Sequence, residues 1–410
     1  MENFLKNIKD ASRVLSTFKP KYKAKILNHM AENIEKNIAL IISENQKDLE
    51  AGIANQLPDA LMDRLSLTKE RILGMTKSIR EIAVLKEPTG RILDGWITPD
   101  GLRIEKVSVP IGVIGIIYES RPNVTSDTAA LCFKSGNACV LKGGKEARHS
   151  NTVIANILQE TLVELGLPKE IISLLPDDSR EGVAKLIKMD KFVDLIIPRG
   201  GEELIRYVSE NSSVPVIKHD KGLCHIFIDE SAKIQDALKI AVNAKCQRTG
   251  VCNAMETLLI HENIAKSILP QLKNDFIAMG TKLLGCEKTR QYIDVQEASE
   301  DDFYTEYLDN ILSIKVVANI DEAIAHINKY GSGHSDSIIT QVYSNGEQFL
   351  NEVDSACVYI NASTRFTDGS EFGFGAEVGI STSKLHARGP MGINDLTTYK
   401  YKIYGSGNIR

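Results

Sequence analysis

The chain is 410 residues long, 43% hydrophobic and 25% charged, which leaves room for two cored domains and excludes a fibrous or disordered polypeptide. Its net charge of -5 excludes broad electrostatic attraction to nucleic acid or to an anionic membrane, so neither is expected as a partner and any anionic ligand must be met by locally placed cations. Seven cysteines, odd in number and widely spread, lack the paired short spacings of a zinc site, so no metal is expected and a reducing, cytoplasmic setting is.

The opening MENFLKNIKDASRV has no apolar core of signal-peptide length, and no later run reaches the roughly 18 apolar residues of a membrane span. From 22 to 90, Leu27, Met30, Ile34, Ile38 and Ile41 are spaced three or four apart, as are Ile72, Met75, Ile79 and Ile82, which predicts packed helices. Between Gly90 and Val109, Asp-Gly pairs at 94–95 and 100–101 separate short alternating runs and predict an exposed hairpin. Trp96 in that hairpin has two readings, core filler or the aromatic of a projecting oligomerisation arm.

From Val109 to about Asp229, strand-like runs (IGVIGII, ACVLK, IISLL, VDLIIP) alternate with helical ones, the pattern of crossover units on a parallel sheet. Nucleotides bind such sheets at the carboxyl ends of strands, so the segments to search follow Ile117, Leu141 and Ile197. A second α/β alternation runs from His225 to Ile360. The tail beyond Lys384 ends LTTYKYKIYGSGNIR, an alternating edge strand able to pair outside its own domain.

Three segments carry chemistry. AKCQRTGVCNAMETLLIH places Cys252 after a Gly-Val turn and before a strand, where a loop can present its thiol; by itself, one cysteine among seven is more often a small buried hydrophobe. LKGGKEARHSN puts Lys142, two glycines and Lys145 between a strand and a long helix, a pattern that suits phosphate or ribose but also a solvated lysine loop. VDLIIPRGGEELIRYV runs into Gly200 and Gly201 and a helix opening with Glu202 and Glu203; its amides can face pyrophosphate, although the spacing is not the dinucleotide fingerprint and the glutamates can simply cap the helix.

Taken in order, PIGVIGIIYESRPN, SGNACVLKGG, LIIPRGG, GVCNAMETLL, EYLDNILSIKVV, INKYGSGHSDSI and NASTRFTDGSEFGFGAEVGIS resemble the aldehyde dehydrogenase superfamily over most of the chain. Val317, Ala323, His326, Ile327, Tyr330, Gly331, Ser332, His334, Ser335, Asp336 and Ile338 are similar to the signature of its acyl-phosphate-reducing branch. The resemblance implies an α/β fold with a Rossmann-type NADPH-binding domain (1–89 and 107–228), an α/β catalytic domain (229–383) and a small oligomerisation element (90–106 and 384–410). It further implies reduction of L-glutamate 5-phosphate to L-glutamate 5-semialdehyde plus phosphate, the second step of proline biosynthesis, by a homo-oligomer functionally coupled to glutamate 5-kinase.

Residue by residue, the resemblance makes Cys252 the nucleophile that forms a thioester, with Arg248 or a loop amide favouring its thiolate. The usual Pro-Trp-Asn is replaced by Tyr118-Glu119-Ser120-Arg121-Pro122-Asn123, so Asn123 matches the oxyanion donor only with a small shift. Arg121 and Arg248 are candidates for the substrate's anionic groups, and Arg121 has a salt bridge to Glu119 as its alternative. Lys142 matches the lysine at the adenosine ribose, Gly200 and Gly201 the pyrophosphate turn, and Glu306 the glutamate at the nicotinamide ribose. Lys145 stands where NAD-preferring members carry a glutamate, which favours NADPH. The water-activating glutamate of hydrolytic members is absent from the stretch Ile217 to Gly222, which favours reduction of an activated acyl group. His225, His334 and Asp336 receive no role. Two other readings stand beside this one: a CoA-acylating aldehyde dehydrogenase, and a cysteine hydrolase or transferase using His219 or His225 as base.

Overall fold

The computed structural model describes residues 1–218 and 221–410, so His219 and Asp220 lie outside the described residues. The chain divides into two compact units: Met1–Lys218 with Gly373–Gly379 and Met391–Arg410, and His219–Phe372 with Ile380–Pro390. Among the described residues, no helix is long and apolar enough to cross a membrane.

In the first unit the amino-terminal helices bury the residues their spacing picks out. Pro20–Lys36, with Pro20 in its first turn where the missing N–H costs nothing, buries Ile26, Leu27, Met30 and Ile34. Lys69–Val84, capped by the Thr68 side chain on the Arg71 amide, buries Ile72, Met75, Ile79 and Ile82. The unit's parallel sheet has the order Ile172–Leu174, Ala138–Lys142, Val113–Tyr118, Leu195–Arg199. Val113–Tyr118 is buried at every position, as its unbroken apolar run requires of a central strand. The chain adds strands to one side of it and then crosses to the other. That reversal opens a crevice beyond the carboxyl ends of Val113–Tyr118 and Leu195–Arg199, the place where such sheets bind ligands.

The hairpin forms at the second Asp-Gly pair, with Ile92–Ile97 antiparallel to Arg103–Pro110 across a turn at 100–101, whereas the first pair, Asp94-Gly95, lies inside the strand beside a register shift and separates nothing. The tail strand Thr397–Tyr404 pairs with the other edge of Arg103–Pro110, so its partner lies within the same unit. Trp96 is 43% exposed and meets Tyr401 edge-on at 6.0 Å, which removes the core-filler reading. Ile97, at 71%, and Ile403, at 60%, are exposed on the same small sheet.

The second unit holds a seven-stranded parallel sheet in the order Gln296–Glu297, Lys282–Gly285, Ile311–Val317, Met255–His261, Cys224–Ile228, Ser335–Ile339, Cys357–Ile360. Cys224–Ile228, which the sequence groups with the cofactor-binding segment, pairs on both sides within this sheet, and its hydrogen bonds place it there. Both faces are covered. Ile226, Leu258, Ile260, Ile314 and Phe276 pack on one side and Phe227, Leu259, Val317 and Ile338 on the other. Each such side chain contributes roughly 1.5–3 kcal/mol.

Candidate active site

The chemistry of the second unit gathers at the amino ends of its strands. Cys252 lies three residues before Met255–His261, Gly222 two before Cys224–Ile228, His334 one before Ser335–Ile339, and Glu306 five before Ile311–Val317. A parallel sheet brings all those leading loops to one edge. These candidates therefore sit at the ends opposite to those where open α/β sheets usually bind ligands.

The Cys252 loop is held from three directions. Asn253, 5% exposed, donates to the carbonyl of Thr367 at 2.8 Å, and the Thr364 hydroxyl donates back to the Asn253 carbonyl at 2.8 Å. The Cys224 thiol donates to the Cys252 carbonyl at 3.2 Å. Burial, reinforced by Asp336, holds Cys224 well above the ordinary thiol range, so it stays a donor. Gly222 packs so closely that a Cβ there would come within 2.0 Å of the Cys252 carbonyl oxygen.

Among seven free cysteines, Cys132, Cys139, Cys224 and Cys357 are buried, while Cys246 and Cys286 face threonine hydroxyls at 3.3 Å. Cys252 is half-buried beside guanidinium groups. Arg365, whose Nε donates to Gln247 Oε1 at 2.7 Å, is pulled down from the usual guanidinium range by burial and then by the charge of Arg248, with Cys252 acting in the opposite sense. Two cations therefore act at the Cys252 loop. Sequence reasoning found Arg248 and missed Arg365, because only the fold brings the turn Thr364–Phe366 to the cysteine; its sole signal was its place in the segment NASTRFTDGSEFGFG.

Glu306 is half-buried near Glu256, and its charge adds to the burial that pushes the Glu256 carboxyl up. His225 is fully buried, with Nδ1 2.8 Å from Asp336 Oδ1, and Asp336 also accepts from Ser355 at 2.5 Å. His334 Nδ1 lies 2.8 Å from the Ser335 hydroxyl, which donates to Thr367 Oγ1 at 2.7 Å. These two histidines belong to a buried polar network that fixes the loops leading into the strands. His219, the other base of the hydrolase reading, lies outside the described residues.

In the first unit, the carboxyl end of Ala138–Lys142 opens into a cavity of about 320 Å³ lined by Lys142, Gly143, Gly144, Arg148 and Asp178 over Leu174 and Pro176. A Cβ at Gly143 would come within 2.0 Å of the Asn151 side-chain amide, so a larger residue there would have to displace Asn151. Burial pulls Lys142 below the usual ammonium range, partly offset by Asp178 and Glu146. Lys145 is exposed one residue beyond the glycines, and Arg148 pairs with Asp178 at 2.9 Å. A strand-end cavity with an apolar floor, a lysine and tight glycines fits the adenosine half of a nicotinamide cofactor.

At the crevice of the same sheet, Gly201 is the N-cap of Glu202–Asn211 and its N–H donates to Glu119 Oε2 at 3.0 Å. A Cβ at Gly200 would meet the Glu119 carboxyl at 2.6 Å. The anion-binding end of this helix thus faces a carboxylate of the chain itself. Arg121 is exposed at the N-cap of Pro122–Lys134. Asn123 is exposed on that helix and donates to Asp127 Oδ2 at 3.0 Å, which leaves its second N–H; burial pushes Asp127 up to about 6. Among the described residues, no group of three or more His, Cys, Asp or Glu could hold a metal ion.

The aldehyde dehydrogenase family model matches residues 1–283 and 297–401. The gamma-glutamyl phosphate reductase of Nautilia profundicola is 65% identical over 410 residues, and that of Sulfurimonas denitrificans 64%, each alignment covering 100% of both chains. The crystal structure of gamma-glutamyl phosphate reductase from Thermotoga maritima matches with a TM-score of 0.98 at 46% identity, covering 100% of this chain and 99% of that one. By whole-length identity and by architecture, the chain belongs to the aldehyde dehydrogenase family and, within it, to the gamma-glutamyl phosphate reductases.

Proposed function

We propose that the chain reduces L-glutamate 5-phosphate to L-glutamate 5-semialdehyde with NADPH through a thioester on Cys252, the second step of proline biosynthesis. The observation that carries this is the half-buried thiol of Cys252 on a loop pinned by Asn253, Cys224 and Gly222 and flanked by Arg248 and Arg365. The Cys252 thiolate attacks the acyl carbon; the carbon–oxygen bond breaks and phosphate leaves with the electron pair, met by the guanidinium charge. The bound nicotinamide cofactor supplies the hydride that reduces the thioester. The oxyanion formed at that carbon takes a hydrogen bond from the Cys252 amide, with Asn123 the second donor by the family resemblance, and it collapses to the carbonyl as the carbon–sulfur bond breaks, the electron pair leaving on sulfur to give aldehyde and thiolate. Lys142 and Lys145 hold the adenosine end and Glu306 the nicotinamide ribose; Gly200 and Gly201 are the pyrophosphate turn by the family resemblance, a role that requires Glu119 to release the Gly201 N–H.

The deciding assay is reduction of NADP+ by glutamate semialdehyde in the presence of phosphate and without CoA. Activity that requires CoA would overturn the reading in favour of a CoA-acylating enzyme. The hydrolase reading loses support because the whole-length relatives are gamma-glutamyl phosphate reductases. Arg121 and Arg248 remain candidates for the substrate's anionic groups, now joined by Arg365. Arg365→Ala should raise the KM for glutamyl phosphate roughly tenfold or more, the equivalent of losing one charge-assisted hydrogen bond. An unchanged KM would remove Arg365 from the phosphate site. For the cofactor, Lys145→Glu should raise the KM for NADPH by at least about tenfold relative to NADH, since a carboxylate replaces an ammonium near the 2'-phosphate; equal effects on both cofactors would refute the NADPH assignment. The exposed apolar residues of the three-stranded sheet support assembly of copies of the chain through it, and the free cysteines support a reducing, cytoplasmic setting. Coupling to glutamate 5-kinase rests on the family resemblance alone.

A further inference from the structure

The loop that carries Cys252 is closed at its base by an ion pair. Lys245 is the penultimate residue of the helix Ile234–Cys246, and Glu256 is the second residue of the strand Met255–His261. Lys245 Nζ lies 2.6 Å from Glu256 Oε2, and both side chains are 0% exposed. Taking two charges out of water is costly, and apolar residues of the same size would fill this space without that cost. The pair is therefore a poor choice for stability alone.

Its second connection points to Glu306. Lys245 Nζ stands 5.9 Å from the centre of the Tyr307 ring, beside Leu308, whose backbone favours the ionised form of the Glu256 carboxyl. Leu308 has φ +51, a left-handed conformation that a leucine adopts only when its surroundings hold it there. Those surroundings include Gly250, whose Cβ position lies 3.5 Å from the Leu308 carbonyl oxygen. Tyr307 is itself fixed, its hydroxyl 2.8 Å from Ser313 Oγ and donating to Asp302 Oδ1 at 3.0 Å. One buried contact thus touches both ends of the Cys252 loop and the strained turn that carries Glu306.

We propose that the Lys245–Glu256 ion pair is a positioning device that fixes the Cys252 loop and the Glu306 turn in one register, so that the thiol and the cofactor-ribose carboxylate are set by the same contact. The inference rests on the roles assigned above to Cys252 and Glu306. Neither Lys245 nor Glu256 takes part in a chemical step; both act through their neighbours.

The test is the paired apolar variant Lys245→Met/Glu256→Leu, which removes the charges together and so leaves neither one buried alone, with Glu256→Gln beside it. Three readouts are taken: thermal unfolding, NADPH affinity by fluorescence in the absence of substrate, and the rate of Cys252 alkylation by iodoacetamide in cofactor-free protein, together with kcat and KM. The expected result is a folded double variant with NADPH affinity weakened roughly tenfold, faster alkylation of Cys252, and kcat lowered by about 10²-fold, the effect of a misplacement near 1 Å. A double variant that folds with wild-type NADPH affinity, alkylation rate and kcat overturns the proposal. If Glu256→Gln fails to fold, the double variant still decides. A wild-type protein that neither binds NADPH nor reduces glutamyl phosphate would instead remove the assigned reaction, and this inference with it.

Discussion

Cys252→Ala should abolish turnover, with a loss in kcat of at least about 10⁴-fold, while NADPH still protects the protein against thermal unfolding. The size follows from the proposed chemistry: without the sulfur the thioester on which that route depends does not form. The cost in stability should be small, under about 1 kcal/mol, because Cys252 is only half-buried and the contacts that pin its loop run through its carbonyl and through Asn253. Cys252→Ser should fall in the same range as alanine, since a serine hydroxyl is a far weaker nucleophile at neutral pH than a thiolate. A variant retaining a tenth of wild-type activity would end the covalent mechanism. Loss of NADPH protection would mean that the substitution had disturbed more than the nucleophile.

The second large effect belongs to a residue with no functional group. Gly222→Ala places a Cβ 2.0 Å from the Cys252 carbonyl oxygen, 2.3 Å from its Cα and 2.5 Å from its carbonyl carbon. All three are backbone atoms of the proposed nucleophile, so no rotamer change can relieve the contact; the loop before Cys224–Ile228 must move relative to the loop before Met255–His261. A shift near 1 Å costs about 10²-fold in rate, and overpacking of this kind about 1–3 kcal/mol. We expect kcat to fall by that factor with a lowered unfolding temperature. Gly201→Ala is the control: no atom lies within 4 Å of the added Cβ and its φ of -67° suits any residue, so its stability should stay near wild type. Turnover by Gly222→Ala within twofold of wild type would show that these two loops do not constrain each other.

Much of this protein is legible in local pattern. The helix faces built on Met30 and Ile79, the Asp-Gly hairpin, and the two runs of strand–helix alternation all follow from periods of 3.6 and 2 and from turn chemistry, which act over a few residues. The grouping of Cys224–Ile228 is only half legible: the second alternation starts at His225, yet the domain boundary implied by the resemblance falls after 228, because a fully buried strand's own residues do not record which sheet it joins. The same holds for Trp96, whose environment depends on a tail strand some 300 residues away, Tyr404 pairing with Arg103 and Ile403 with Ile104.

The site divides in the same way. By itself, the sequence carried the family, through the segments that resemble it, and with the family the kind of chemistry; the cysteine between a Gly-Val turn and a strand, the lysine loop after Leu141 and the stretch from Ile217 to Gly222 were candidates it named. What only the tertiary structure decided is which groups surround the thiol. Arg365 lies 113 residues beyond Cys252, Gly222 lies 30 before it, and Lys245 and Glu256 close the loop between them. The physical reason is the parallel sheet: its strands all begin at one edge, so loops far apart in the chain are brought together there, and no local pattern records which loops will meet.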